Sequence, residues 1–371
     1  MSSSLLLFAA CAPGIEPWLE EELSELGHSG KALAGGVELR GPAETLWHLC
    51  QHSRLAESVR VRLKPFVARS FPELIMGLER LAWHAYLARG SRPAVRVTCH
   101  KSRLYHSDAV AQRVAEVLAR KLGAGPGAPS DGASTVQVRL QADEVQVSID
   151  ASGERLHRRG RRTHVAAASL RETLAAAIVR GAGRAGQEAL CLWDPFCGAG
   201  TIALEWLDLR LGLRPGRTRT FAFEQWPTHD AARYAQWRAA LPTVEPPRET
   251  LRVYGSDLEP RALEAARANA EAAGVQELCE WLGGDFEAAA SRIPLGALVL
   301  TNPPYGKRVG ARPQRDELLA RFDRLLARRR DLRPVVQLLG GGALPSSRLP
   351  WEPLLRTSNG GLPVSLRRLS T

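Results

Sequence analysis

The segment Thr301-Asn302-Pro303-Pro304-Tyr305-Gly306 follows directly on the apolar run Ala297 to Leu300. That run reads as a buried strand. The two prolines end it, because they offer no N–H to a ladder and fix φ. Gly306 then lets the chain turn. An amide and a phenol, one a hydrogen-bonding group and the other a flat ring with a hydroxyl, are thus held on a stiff loop at a strand end. Open α/β sheets bind ligands at such ends. Alone, the pattern is equally that of a proline-rich turn.

Three acids stand at comparable places. Asp194-Pro195-Phe196-Cys197-Gly198-Ala199-Gly200-Thr201 follows a short strand and opens a helix. Its glycines let backbone approach a ligand, and the helix start offers free N–H groups. Gly198-x-Gly200 alone fits a dinucleotide or nothing. Ile202-Ala203 departs from the G-x-G-x-x-G spacing, and no Gly-Lys-Ser/Thr occurs, so a pyrophosphate is disfavoured. Asp194 suits a ligand with a positive amino group. Asp257 ends a second strand, where a carboxylate accepts from both hydroxyls of a ribose. Asp285 ends a third, where it can receive an adenine amino group. Each acid alone reads as a turn or helix cap, but all three lie on one sheet edge.

The elements that must position these residues begin at 169, where helix and strand alternate as in a doubly wound parallel sheet. Strands are predicted at Leu190 to Trp193, Leu251 to Asp257, Glu280 to Asp285, Ala297 to Leu300 and Pro334 to Leu339. Helices are predicted from Ser169, Thr201, Pro260 and Glu317, and a hairpin over 358–366. The preceding half is α+β. Leu5 to Ala9 reads as a first strand rather than a signal peptide, having no basic flank. Helices are expected at 17–27, 43–50, 71–87 and 108–122, and a hairpin around Ala142-Asp143-Glu144.

The chain has 371 residues and a net charge of +11. Its lysines are Lys31, Lys64, Lys101, Lys121 and Lys307, so arginine carries most of the positive charge. Arginine suits bidentate phosphate contacts and stacking on bases, and the excess favours a polyanionic partner. The loop Lys101 to Ser107, with Arg103, Tyr105 and His106, and the basic stretch with Arg158, Arg159, Arg161 and Arg162 are the expected contacts for the phosphate backbone of such a partner. Each is otherwise solvated surface charge. Six scattered cysteines without a C-x-x-C pair or a histidine cluster disfavour a metal site, and fit a reducing cytoplasm. No apolar run reaches the roughly 18 residues of a membrane span, and no pattern sets an oligomeric state.

The motifs from Asp194, Gly255-Ser256-Asp257, Gly284-Asp285 and Thr301 to Gly306 resemble the series of class I S-adenosylmethionine methyltransferases acting on exocyclic amines. The front half resembles the ferredoxin-like and THUMP units of the guanine-N2 RNA methyltransferases. It does so at Cys11 to Glu16, Gly35 to Val37, Trp47 to Leu55, Lys101 to Ser107 and Leu156 to Gly160. The resemblance spans essentially the whole chain. It implies a ferredoxin-like unit at 1–54, a THUMP RNA-binding domain at 55–152, a basic linker at 153–168 and a Rossmann-like methyltransferase domain at 169–371. S-adenosyl-L-methionine would be held by Asp194, Pro195, Phe196, Cys197, Gly198, Gly200, Thr201, Asp257, Leu258, Asp285, Phe286 and Asn302. Asn302, Pro303, Pro304 and Tyr305 would form the catalytic loop. The implied reaction is methylation of guanine N2 in structured RNA, most simply 23S rRNA, with tRNA as the alternative. Ser169 stands where the family has proline, and Arg161 where it has tyrosine; neither touches the transfer chemistry. A DNA adenine-N6 methyltransferase shares the Asn-Pro-Pro-Tyr logic. A non-catalytic RNA-binding assembly factor would share the fold but needs none of the retained site residues.

Overall fold

The computed structural model describes residues 4–125, 127–130, 134–160, 170–242, 250–304, 312–340 and 347–370. The chain divides into two compact units. One comprises Met1–Cys11, Trp18–Leu156 and Arg219–Leu241, the other Ala12–Pro17, His157–Thr218 and Pro242–Thr371.

The first unit is built on β1 (Leu5–Ala10), α1 (Glu16–Glu25), β2 (Gly30–Leu33), β3 (Gly36–Gly41), α2 (Ala43–His52), β4 (Ser58–Arg62), β5 (Phe66–Val67), α3 (Phe71–Glu79), β6 (Val95–His100), α4 (Ser107–Leu122), β7 (Val136–Gln141) and β8 (Glu144–Asp150). Its sheet runs β2-β3-β1-β4-β8-β7-β6, with β5 on β8. The apolar N-terminal run is therefore an inner strand, antiparallel to β3 and β4. In β7 and β8, Val136, Val138, Leu140, Val145, Val147 and Ile149 are buried, as period-2 alternation requires. The hairpin turns at Ala142 and Asp143, whose φ values are 51° and 66°. A positive φ at both central residues matches the twist of the strands. The helix expected over 71–87 stops at Glu79 and resumes as a single 3₁₀ turn, Trp83–Ala85. Buried Trp83 gives its indole N–H to the Leu78 carbonyl at 2.8 Å, using an acceptor that a continuing helix would need.

In the second unit come α5 (Glu172–Gly181), α6 (Arg184–Glu188), β9 (Cys191–Asp194) and α7 (Thr201–Arg210). The chain then rejoins the first unit over 219–241, which includes α8 (Ala231–Ala239). By sequence this segment belongs with the C-terminal half, and no element is expected in it. Its aromatic side chains take it to the front unit: Tyr234 lies 5.2 Å from Trp47 between ring centres and accepts from Gln51 Nε2 at 3.0 Å. Trp226 donates to Ser134 Oγ at 2.8 Å.

The second unit continues with β10 (Arg252–Asp257), α9 (Pro260–Ala272), β11 (Cys279–Gly283), α10 (Phe286–Ala289), β12 (Leu298–Thr301), α11 (Arg312–Arg328), β13 (Val335–Gly340), β14 (Glu352–Asn359) and β15 (Leu362–Leu369). The sheet order is β11-β10-β9-β12-β13-β15-β14. Strands β9 to β13 are parallel, and β15 runs antiparallel between β13 and β14. The Gly360-Gly361 turn, at φ 59° and 84°, closes the hairpin expected there. Trp193, Val299, Phe322, Val335 and Leu369 share one buried cluster on one side of the sheet. Strand order reverses between β9 and β12, and a crevice opens at such a switch point beyond the carboxyl ends.

Candidate functional site

Asp194 ends β9 at that switch point. The chain after it folds into a tight loop: Gly198 and Gly200 have φ values of 52° and 78°, and Gly200 caps α7. Bonds to the neighbouring strand and helix hold the loop. Cys197 N donates to Ser256 O at 3.0 Å, Gly198 N to Asp257 Oδ2 at 2.9 Å, and buried Asn269 Nδ2 to Ala199 O at 3.1 Å. The Trp281 ring covers this region so closely that a Cβ on Gly255 would lie 2.4 Å from it, and one on Gly200 2.9 Å. Both glycines are therefore required by packing. Asn269 and Trp281 were not singled out in the sequence; their roles depend on α9 and β11 lying beside the loop.

Asp194 is buried. Its Oδ1 accepts from Thr301 Oγ1 at 3.0 Å and from Phe196 N at 3.2 Å, and its Oδ2 is buried without a hydrogen-bond partner among the described residues. Burial pushes its carboxyl up to about 7, with the nearby Asp257 charge adding to the shift. Asp257 is half-buried, with its other oxygen accepting from Glu259 N at 3.0 Å. Asp285 caps α10 through Glu287 N at 2.9 Å and is paired with Arg321 at 2.9 Å. Phe196, Phe286 and Phe322 pack together with ring centres 5.3 to 5.7 Å apart. Pro195 and Cys197 are buried in the loop and Thr201 at the start of α7, and Leu258 is exposed.

Asn302 follows β12 directly. Its Oδ1 is buried and has no hydrogen-bond partner among the described residues, an acceptor beside the Thr301–Asp194 bond. Pro303 is buried and Pro304 half-buried. Tyr305 lies outside the described residues.

Of the expected RNA contacts, Lys101, Arg103, Tyr105, His106 and Arg158 are exposed. Arg161 and Arg162, and also Ser169, lie outside the described residues. The expectation for Arg159 is corrected. Its side chain is 1% exposed and pairs with equally buried Glu205 at 3.1 Å, so its charge is neutralised inside the second unit and does not reach phosphate. Among the described residues, no group of three His, Cys, Asp or Glu is arranged to hold a metal ion, and no helix is long and apolar enough to cross a membrane.

Parallel strands in this order, an inserted antiparallel strand and a glycine loop after the first strand define a class I, Rossmann-like methyltransferase fold, joined to an N-terminal ferredoxin-like domain. Residues 159–336 match the family described as RMKL-like, methyltransferase domain. Residues 6–60 match the RlmL ferredoxin-like domain. The chain is 34% identical over 323 residues to the ribosomal RNA large subunit methyltransferase K/L of Methylococcus capsulatus, covering 82% of this chain and 42% of that protein. It is 32% identical over 328 residues to the protein of the same name from Psychromonas ingrahamii, covering 83% and 42%. The chain thus spans less than half the length of these relatives. Among solved structures it resembles SMU.472 complexed with SAH, with a TM-score of 0.87 and 26% identity over 100% of this chain and 99% of that one. It shares the fold of TrmN from Thermus thermophilus, with a TM-score of 0.68 and 23% identity over 99% and 100%. The cofactor of this fold is S-adenosyl-L-methionine. The residues present fit it: a glycine cradle closed to larger side chains, an unpartnered buried carboxylate oxygen for its ammonium group, and Asp257 at the second strand end.

Proposed function

We propose that the protein methylates the exocyclic N2 amine of a guanine in structured RNA, with large-subunit rRNA as the substrate, in the cytoplasm. The observation that carries this reading is the buried, unpartnered Oδ1 of Asn302 at the end of β12. A buried acceptor without a donor is costly, and an amine N–H supplies that donor.

S-adenosyl-L-methionine supplies an electrophilic methyl group on a sulfonium. The chain's residues bind and aim the two reactants. Asp194 Oδ2 would hold the ammonium of the cofactor, Asp257 its ribose hydroxyls and Asp285 its adenine amine; exposed Leu258 would offer apolar surface to the ring, and Phe286, packed on Phe196 and Phe322, would back the site from the core. The N2 lone pair of guanine is conjugated into the base and weakly nucleophilic. Asn302 Oδ1 and the Pro303 carbonyl accept its two N–H groups and turn the lone pair toward the methyl carbon, a gain in alignment and charge stabilisation. Pro304 stiffens the loop, and Tyr305 stacks on the base. A paired base is first extruded. Breaking the S–C bond would leave the neutral thioether of S-adenosylhomocysteine, and the methylated amine would give its extra proton to solvent.

Residues 55–152 act as the THUMP RNA-binding module, and 153–168 as a basic connector. Lys101, Arg103, Tyr105, His106, Arg158, Arg161 and Arg162 contact the RNA. The names of the relatives, ribosomal RNA large subunit methyltransferase K/L, favour rRNA over tRNA. The test is transfer of labelled methyl groups to unmodified 23S rRNA, tRNA and DNA, followed by nucleoside analysis. N2-methylguanosine from the rRNA is expected. Label on tRNA alone, or on adenine in DNA, overturns the reading.

A further inference from the structure

The open face of the first unit's sheet ends in an exposed aromatic pair. Tyr105 is 69% exposed, and its ring lies 4.0 Å from that of His106. An aromatic side chain this open gains nothing from core burial, yet the loop that presents it is firmly held. Leu104 is buried. Arg103 N donates to Asp143 Oδ1 at 2.7 Å. Ser102 Oγ donates to His100 O at 3.0 Å and accepts from Asp143 N at 3.1 Å. Asp143 Oδ2 lies 3.6 Å from Arg69 Nε. The loop is thus pinned to the β7–β8 turn on one side and to the core on the other, with Tyr105 and His106 left facing water.

The strands leading to this loop carry charge on the same side. Along β6, Arg96, Thr98 and His100 are exposed, and along β7, Arg139 and Gln141 are exposed. The parallel register sets Thr98 beside Arg139 and His100 beside Gln141. Arg96, Arg139, Lys101 and Arg103 therefore form a basic track from the sheet face to the loop, with Arg69 beyond the turn. Opposing charge nearby includes Glu144, exposed Asp108, Glu73, which already accepts from Arg69 N, and Asp143, whose carboxylate is already used by Arg69 and the Arg103 amide.

We propose that this track is a binding site for an unpaired RNA segment, in which Tyr105 stacks on a nucleobase and the basic side chains accompany the backbone. Charge complementarity selects a polyanion. The exposed ring selects an unstacked base, because a base inside a duplex has no free face to offer. The site deepens the proposed RNA methylation by naming the form of RNA that the front unit reads, and it rests on that reading only for the biological RNA.

The experiment measures binding of the full chain, without cofactor, to a labelled single strand of roughly 12 nucleotides, within the range of single-strand site sizes, and to a blunt duplex of the same length. Tyr105→Ala weakens single-strand binding roughly tenfold, the scale of one lost base stack, and leaves the duplex unchanged. Tyr105→Phe retains binding. Arg139→Gln lowers the salt dependence by about one phosphate contact. Equal losses on both RNA forms, no loss on either, or a parent that prefers the duplex overturns the proposal. Because no methyl transfer is measured, failure of the guanine reaction leaves this result standing, and the reverse also holds.

Discussion

Thr301 gives its hydroxyl hydrogen to Asp194 across 3.0 Å, fastening the acid that ends the first strand of the sheet to the strand that launches Asn302. The two residues are 107 positions apart in the chain. In the proposed mechanism this one contact holds the carboxylate and the amide in fixed relation, the kind of preorganisation on which group transfer between two bound reactants depends.

Asn302→Ala is expected to leave affinity for S-adenosylhomocysteine near the parent value and to lower kcat by about 100- to 1,000-fold, the cost typical of removing one preorganised hydrogen-bonding group. Calorimetry and single-turnover transfer separate the two quantities. A variant with parental kcat sinks the clamp mechanism.

Asp194 sets a pH dependence. Burial holds its carboxyl up to about 7 in the folded protein, against an ordinary 3.8. The stability that this raised value contributes is present below 3.8 and lost as pH rises through 7. A bound ammonium reverses that preference, so affinity for S-adenosylhomocysteine should rise as pH climbs through about 7. Asp194→Asn should bind more weakly and flatten the dependence in titrations across this range; an unchanged slope counts against the assignment.

Gly255→Ala brings a Cβ to 2.4 Å from the Trp281 ring. Overpacking of this kind costs about 1–3 kcal/mol and should shift the Asp257 strand end, weakening cofactor binding. Trp281→Leu in the same chain should recover part of the lost stability, as a double-mutant denaturation series would show.

Arg158 and Arg159 are neighbours with opposite expected behaviour. Arg159→Ala removes one partner of a buried ion pair with Glu205 and should cost roughly 3–5 kcal/mol. Arg158→Ala, at an exposed position, should cost less stability than Arg159→Ala while weakening RNA binding at low salt. Urea denaturation and filter binding test the pair.

His28 Nε2 and His48 Nδ1 are 2.7 Å apart, and the His52 ring lies 4.2 Å from that of His48. Burial, and for His48 also the neighbouring His28, pushes both imidazoles down, His48 to about 4 from 6.5. Their contribution to stability is present above 6.5 and lost as pH falls toward 4. Asp194 works in the opposite sense, so parent and His48→Gln must be compared by thermal melts. The variant should lose less stability on acidification.

The sequence by itself determined the local structure and the site's chemical inventory. Alternating apolar residues set β7 and β8, and the Gly360-Gly361 pair permits the positive φ values of its hairpin. The prolines after Thr301 end β12 where a ligand-facing loop must begin. These are legible because periodicity, φ and missing N–H groups belong to neighbouring residues. Only the tertiary structure decided that Arg159 is buried against Glu205, that Trp281 closes over Gly255, and that 219–241 packs with the front unit. An arginine in a basic run has the same spacing whether it meets water or a carboxylate, and an aromatic helix does not name the surface that will cover it. Burial and pairing depend on residues far apart in the chain, which spacing does not record.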